Sequence, residues 1–261
     1  MANFKIALTA GHDKYNPKRC AKVLDPNETR EWVLNDRIAD KVEKLLKSYT
    51  GYELLRTDDT TGEPTVPLEE RTKKANEWGA DFYLSIHHNA AGYIFDGGGI
   101  TVYVRNKPLA ESVEWQEELY DALIEETELK GNRVTPLARS NLHEVYAPKM
   151  PSVLLELGFM DSSVDVPIIL TEEFADQCAR AIVKVLVRRG NLKKITDTEE
   201  PVKANSLYKV KNEIIVADPA KVKTTGDGIF TIVEEKLVNG VVYGKLKSGA
   251  GWIKLTDAKA L

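Results

Sequence analysis

The sequence predicts an α/β fold, a twisted mixed and largely parallel sheet with helices on both faces, followed by a small all-β domain. Three observations predict it. Apolar strand-like runs alternate with helix-period stretches up to about residue 190, a polar aperiodic stretch follows, and the remainder consists of short β-type runs punctuated by glycine.

In chain order, strands are expected at Phe4 to Thr9, Tyr52 to Arg56, Phe82 to Ile86, Ile100 to Val104 and Val153 to Leu157. Helices are expected near 29–49, 67–78, 108–129 and 171–189. The first helix is the most informative, because Glu31, Leu34, Ile38, Val42 and Leu45 recur at three- and four-residue steps and share one face. Glu31 opens that stripe in the first turn, where the helix dipole favours negative charge, and so is expected to point toward the sheet.

The stretch NLKKITDTEEPVKANS from Asn191 reads as a linker, giving a first domain over 1–190, a linker over 191–205 and a second domain over 206–261. In the second domain EIIVA, GIFTIVEE, VVYGKL and GWIKL are short strands separated by Gly226, Gly228, Gly240, Gly244, Gly249 and Gly251. Asn239-Gly240 suggests a tight hairpin, and the pattern favours a small β-barrel or sandwich.

Composition narrows the function classes. The 261 residues are 43% hydrophobic, enough for a sizeable core, and 36 basic against 40 acidic side chains leave a net charge of −4 with no long basic block. Nucleic acid is therefore not an expected partner. Cys20 and Cys178 imply no disulfide framework. No segment approaches the roughly 20 apolar residues of a membrane span, so no membrane insertion is expected. MANFKIALTAGH is too short an apolar run for a signal peptide, which implies cytoplasmic synthesis and another route for any outside action.

The chemistry is concentrated at strand ends. His12 closes ALTAGH, His87 and His88 close FYLSIHH, and Glu156 sits inside VLLELGF, where an apolar run offers a carboxylate no easy escape to water. Catalytic zinc takes three His or carboxylate ligands and leaves a position for water or substrate, a set that His12, Glu31 and His87 would supply. Gly11 lets the backbone turn sharply before His12. His87 and His88 point to opposite faces if the strand persists through them, so at most one of them shares a site with His12 and the other is packed or solvated. Desolvation raises the Glu156 carboxyl toward the range of a general base, although pairing with Arg71 or a backbone donor is the competing structural reading. His12 as a loop histidine satisfied by backbone, and Glu31 in an exposed ion pair, are the other bland alternatives.

Five ordered motifs, LTAGH, ETREWVLNDRIA, LEERTKKAN, DFYLSIHHNA and MPSVLLELGFMDS, resemble the zinc-dependent N-acetylmuramoyl-L-alanine amidases of the amidase-3 type over residues 4–188. That group includes autolysins, sporulation amidases and phage endolysins. The resemblance implies one zinc ion on His12, Glu31 and His87, with Asn35 and Ala39 setting the register of Glu31 and Glu28 as the other carboxylate of that stretch. It implies Glu156 as the catalytic acid-base, and it puts Asn89 at the asparagine of the SIHxN motif, a substrate-binding candidate. Arg71, Asn76 and Asp81 fit the pattern as packing and anchoring residues. The implied reaction cuts the amide between N-acetylmuramic acid and L-alanine of the stem peptide, so bacterial peptidoglycan is the expected partner. Two stretches depart from the pattern: SNLHEVYAPKM, where His143 becomes a further substrate-binding candidate, and DKYNPKRC after His12.

The segment 206–261 resembles SH3-like wall-binding modules through GIFTIVEE and YGKLKSGAGWIKL, with Phe230, Tyr243 and Trp252 either a ligand platform or core. A catalytic and a wall-binding module without a leader imply a phage or prophage endolysin released through a holin-type pore. A bacterial autolysin of the same chemistry, a zinc carboxypeptidase or other metallopeptidase, and a non-catalytic wall-binding protein remain the alternatives at this stage. The sequence carries no indication of oligomeric state.

Overall fold

The computed structural model describes residues 2–131 and 136–195 and, further on, 206–210, 214–215, 223–224, 228–238, 241–249, 251–255 and 259–260. Two compact units result, Met1–Lys194 and Ile195–Leu261. The first runs β1 (Phe4–Ala10), α1 (Glu31–Leu46), β2 (Tyr49–Thr50), β3 (Tyr52–Arg56), α2 (Leu68–Trp78), β4 (Phe82–Asn89), β5 (Ile100–Val104), α3 (Ala110–Glu126), β6 (Leu137–Arg139), α4 (His143–Tyr146), β7 (Ser152–Phe159), α5 (Val166–Ile169), α6 (Glu172–Arg189) and β8 (Lys193–Lys194).

Its six-stranded sheet has the order β3-β1-β4-β7-β5-β6. The first four strands are mutually parallel, β5 runs antiparallel to β7, and β6 pairs parallel with β5. This is the mixed, mostly parallel sheet that the alternating pattern predicts.

Strand alternation divides the chemistry between the two faces. Ile6, Leu8, Phe82, Leu84, Ile86, Val153, Leu155 and Leu157 join residues of α1, α3 and α6 in one large apolar core. Burying such side chains contributes roughly 1.5–3 kcal/mol each, so this layer dominates the stability of the unit. The residues between them face the other way. Ala7 and Tyr83 pack with Ala75 and Ala80 in a smaller cluster, and Thr9, Ser85 and His87 on the same parity are buried and polar. One face of the sheet is thus the core, and the other carries functional groups beneath α2 and α4.

Several boundaries differ from those expected. The helix starts at Glu31 rather than Thr29, and its stripe ends on Leu46, fully buried, while Leu45 is exposed. Steps of four from Ile38 through Val42 continue to Leu46 and hold the same face against α6. β4 runs past Ile86 to Asn89, and β6, α4 and α5, of three or four residues each, are too short to show a period. Both cysteines are free and buried.

Residues 191–195, expected in the linker, include buried Leu192 and the strand β8, which pairs antiparallel with β2. Residues 196–205 lie outside the described residues. The second unit holds β9 (Ser206–Val210), β10 (Ile214–Ile215), β11 (Lys223–Thr224), β12 (Gly228–Val238), β13 (Val241–Leu246), β14 (Trp252–Lys254) and β15 (Lys259–Ala260). A five-stranded antiparallel sheet of order β14-β13-β12-β9-β15 forms, with β10 and β11 paired separately. Ile232, Leu246, Ile253 and Leu255 make its core, and Phe230 packs against them. Gly226 and the expected Asn239-Gly240 turn lie outside the described residues. Among the described residues no helix is long and apolar enough to cross a membrane.

Candidate active site

The site forms where β1 and β4 end beside the start of α1. A Cβ on Gly11 would lie 2.1–2.5 Å from ring atoms of His87, so this position is glycine because an imidazole occupies the space. The turn expected at Gly11 is made instead by His12, whose φ of 67° is left-handed. Arg71, buried on α2, holds that turn: Nη1 donates to Ala10 O at 2.7 Å and to Thr9 Oγ1 at 3.1 Å, and Nη2 donates to His12 O at 2.6 Å. The DKYNPKRC departure is ordered by Asp13, which accepts from the Tyr15 and Asn16 backbone N–H groups and from the Thr65 hydroxyl.

Glu31, 1% exposed, enters from the first turn of α1. Its Oε1 lies 3.0 Å from His87 Nδ1 and accepts from His88 N at 3.2 Å and Asn35 Nδ2 at 3.3 Å. Asn35 also donates to Gly11 O, and its Oδ1 lies 2.8 Å from His88 Nδ1. His88 is therefore the packed member of the pair, facing α1.

His12 Nε2 stands 3.0 Å from Glu31 Oε2, yet both atoms are buried and neither has a hydrogen-bond partner. Donor atoms of His12, Glu31 and His87 all lie within 4.8 Å of one another. Two imidazole nitrogens and a carboxylate oxygen are a donor set that suits zinc, and a divalent cation among them would satisfy both orphaned atoms.

The same contacts set the electrostatics of the metal-free site. Burial alone would push His87 down, but hydrogen bonds to Glu144 and Glu31 outweigh it and raise the ring to about 10. Holding a metal there requires loss of that proton. Burial would likewise raise Glu31, but contacts with the His12 and His87 rings keep its carboxyl far below the usual range.

Glu156 pairs in register with His87 across β4 and β7. Burial pushes its carboxyl up to about 7, opposed by the charge of His87 and assisted by that of Glu31. Its Oε2 is buried without a partner, and Arg71, the competing structural partner, is committed elsewhere. A cleft of about 410 Å³ is lined by His12, Lys18, His87, His143, Glu144 and Glu156, among others.

The expected residues thus divide. His12, Glu31, His87 and Glu156 come together, and His143 stands on the cleft wall with Nε2 3.0 Å from Thr72 Oγ1. Asn89 does not line the cleft, and its Oδ1 accepts from Ala90 N. Glu28 pairs with Arg19 at 3.3 Å. Asn76 bonds Ala147 O and Lys149 N, and Asp81 accepts from Lys5 N, both tying elements together. Glu144, 3% exposed and 3.0 Å from His87 Nε2, was not legible in advance. Its only signal is a carboxylate beside Val145 in a stretch too short for periodicity.

Comparison with known proteins places these features in a family. Residues 6–188 match the family described as N-acetylmuramoyl-L-alanine amidase. The chain is 29% identical over 244 residues to the sporulation-specific N-acetylmuramoyl-L-alanine amidase of Bacillus subtilis, covering 92% of this chain and 85% of that one. It is 28% identical to the endolysin of Bacillus phage SPP1, covering 94% and 93%. Among solved structures, the N-acetylmuramoyl-L-alanine amidase of Clostridium difficile 630 superposes with a TM-score of 0.66 at 22% identity, over 73% of this chain and 98% of that one.

Proposed function

The chain belongs to the N-acetylmuramoyl-L-alanine amidase family, enzymes that hydrolyse peptidoglycan, and we propose that it does so with one zinc ion held by His12, Glu31 and His87 and with Glu156 as general base and acid. The observation that carries this reading is the pair of buried atoms without a hydrogen-bond partner, His12 Nε2 and Glu31 Oε2, beside a cleft that His12, His87 and Glu156 line. A zinc ion held by His12, Glu31 and His87 would supply Lewis acidity toward the scissile carbonyl and the attacking water.

This chain's own groups do the rest. Glu156, whose carboxyl lies near 7, takes the proton of the attacking water at its unpartnered Oε2 and returns it to the leaving amine of L-alanine. The bond broken is the amide between the lactyl carbonyl of N-acetylmuramic acid and L-alanine; water oxygen ends on the lactyl group as a carboxylate, and the L-alanine amine departs. Asn35 and His88 N keep Glu31 aimed into the site, and His143 on the cleft wall contacts the substrate.

The segment 206–261 of the second unit is read as an SH3-like wall-binding module, supported by its five-stranded antiparallel sheet. Similarity along nearly the whole length of a phage endolysin supports release through a holin-type pore, and the sporulation amidase supports a bacterial autolysin as the second reading. Lysis of an expressing host only when a pore-forming protein is co-expressed would favour the endolysin.

Metal analysis of purified protein and mass spectrometry of digested peptidoglycan test the chemistry together. One zinc per chain and newly free L-alanine amino groups on intact glycan are expected. His12→Ala is expected to lose metal and activity together, whereas Glu156→Gln keeps zinc and loses about 10²–10⁴ in rate. Full zinc stoichiometry in the His12 variant would overturn its assignment as a ligand.

A further inference from the structure

Glu144 is a buried carboxylate on this face that the mechanism above does not use. It sits on the one-turn helix α4, 3% exposed, and both of its oxygens are engaged. Oε2 lies 3.0 Å from His87 Nε2, and Oε1 accepts from the Tyr83 hydroxyl at 3.0 Å. Taking a carboxylate out of water costs several kcal/mol unless it is paired, so this geometry requires a return.

We propose that Glu144 is a positioning residue that accepts the Nε2–H of His87 and so fixes the tautomer whose Nδ1 lone pair faces Glu31 and His12, an inference that rests on the metal-centre reading. A neutral imidazole carries one N–H, and whichever nitrogen holds it cannot bind a cation. The Nδ1 of His87 is 3.0 Å from Glu31 Oε1 on the donor cluster, while Nε2 points the other way, to Glu144. Committing the proton to Nε2 leaves Nδ1 free for the ion, and an anionic acceptor also makes the ring a stronger donor to the metal.

Tyr83 makes the arrangement rigid. It precedes His87 by four residues on β4, faces the same side, is fully buried and anchors Glu144 Oε1. The His87 ring fills the space that Gly11 leaves by lacking a side chain.

The test is zinc affinity of the full chain, measured by competition with a chelating fluorophore, with the absorption spectrum of the cobalt(II)-loaded protein and the Tm of the metal-free protein alongside. Glu144→Ala is expected to weaken zinc binding about 10–100-fold and to perturb the cobalt d–d bands. Glu144→Gln, whose carbonyl accepts the same N–H while its amide donates to Tyr83, is expected to restore most of that affinity. Tyr83→Phe, which retains Glu144 but releases Oε1, is expected to lose less than Glu144→Ala and serves if that variant does not fold. Wild-type affinity and spectrum in Glu144→Ala, or in Tyr83→Phe where that variant alone folds, would overturn the proposal. Equal loss in the Ala and Gln variants would also overturn it, because a good acceptor would then have rescued nothing. Failure of the wild type to take up one zinc would sink the metal-centre reading and this inference with it.

Discussion

At the residue scale, the groups gathered at the candidate site stood out in the sequence because each violates the pattern around it. Glu156 interrupts an apolar strand, and His12 and His87 sit where strands end. Gly11 was legible as a special position but for the wrong reason: the space it leaves is filled by the His87 ring, a contact between segments far apart in sequence. Gly11→Ala is accordingly expected to push the ring off the donor cluster and weaken zinc binding at least about tenfold, with little change in secondary structure by circular dichroism. Unchanged affinity would mean that the ring has room to move. Glu156 yields a prediction with a definite sign. Its folded value near 7 lies above the ordinary 4.5, so its contribution to stability is present in full below about pH 4.5 and is lost as pH rises through 7. Metal-free Glu156→Gln should therefore be more stable than wild type at pH 8, by about 2–3 kcal/mol, with the gap closing toward pH 4.5. Urea denaturation at the two pH values decides it, and a gap independent of pH would contradict the assigned burial cost.

At the element scale, long periodic segments were readable and short ones were not. The stripe of α1 and the apolar runs of β1, β4 and β7 announce themselves, whereas α4, four residues long, has no room for a period and yet delivers Glu144 to the site. Arg71 shows how one element disciplines another. Its place in LEERTKKAN reveals a helix, but only tertiary structure brings its guanidinium to three groups of the β1 end and to Val66 O. Lysine lacks the planar fork needed to reach Ala10 O and His12 O together. Arg71→Lys is expected to cost about 1–3 kcal/mol in stability and to weaken metal binding, because His12 then loses the restraint on its left-handed backbone. A thermal melt and a zinc titration of one preparation check both halves. Loss of stability with undiminished zinc affinity would assign Arg71 to the fold alone.

At the scale of the whole molecule, the two compact units have different physical roles in the proposed function. The first holds every residue of the candidate site within Met1–Lys194, and its large apolar core is drawn from residues of that same span. The second has a core of four buried aliphatic side chains among its described residues. Composition changes from Asn191 onward, yet Leu192 and β8 fall within the first unit, and the pairing of β8 with β2 leaves no trace in sequence periodicity. Tethering a wall-binding module raises the local concentration of the catalytic one without altering its chemistry. Removing 195–261 is therefore expected to leave kcat on a soluble muropeptide within about twofold, since no ligand or acid-base group is lost. Pelleting with purified wall should fall by about 10²-fold or more, the scale on which a second attachment point acts. Measuring both on one truncated preparation separates the possibilities. Parallel loss of turnover and wall association would make the second unit a structural support for the first, whereas retained pelleting would place the wall-binding surface on the catalytic unit itself.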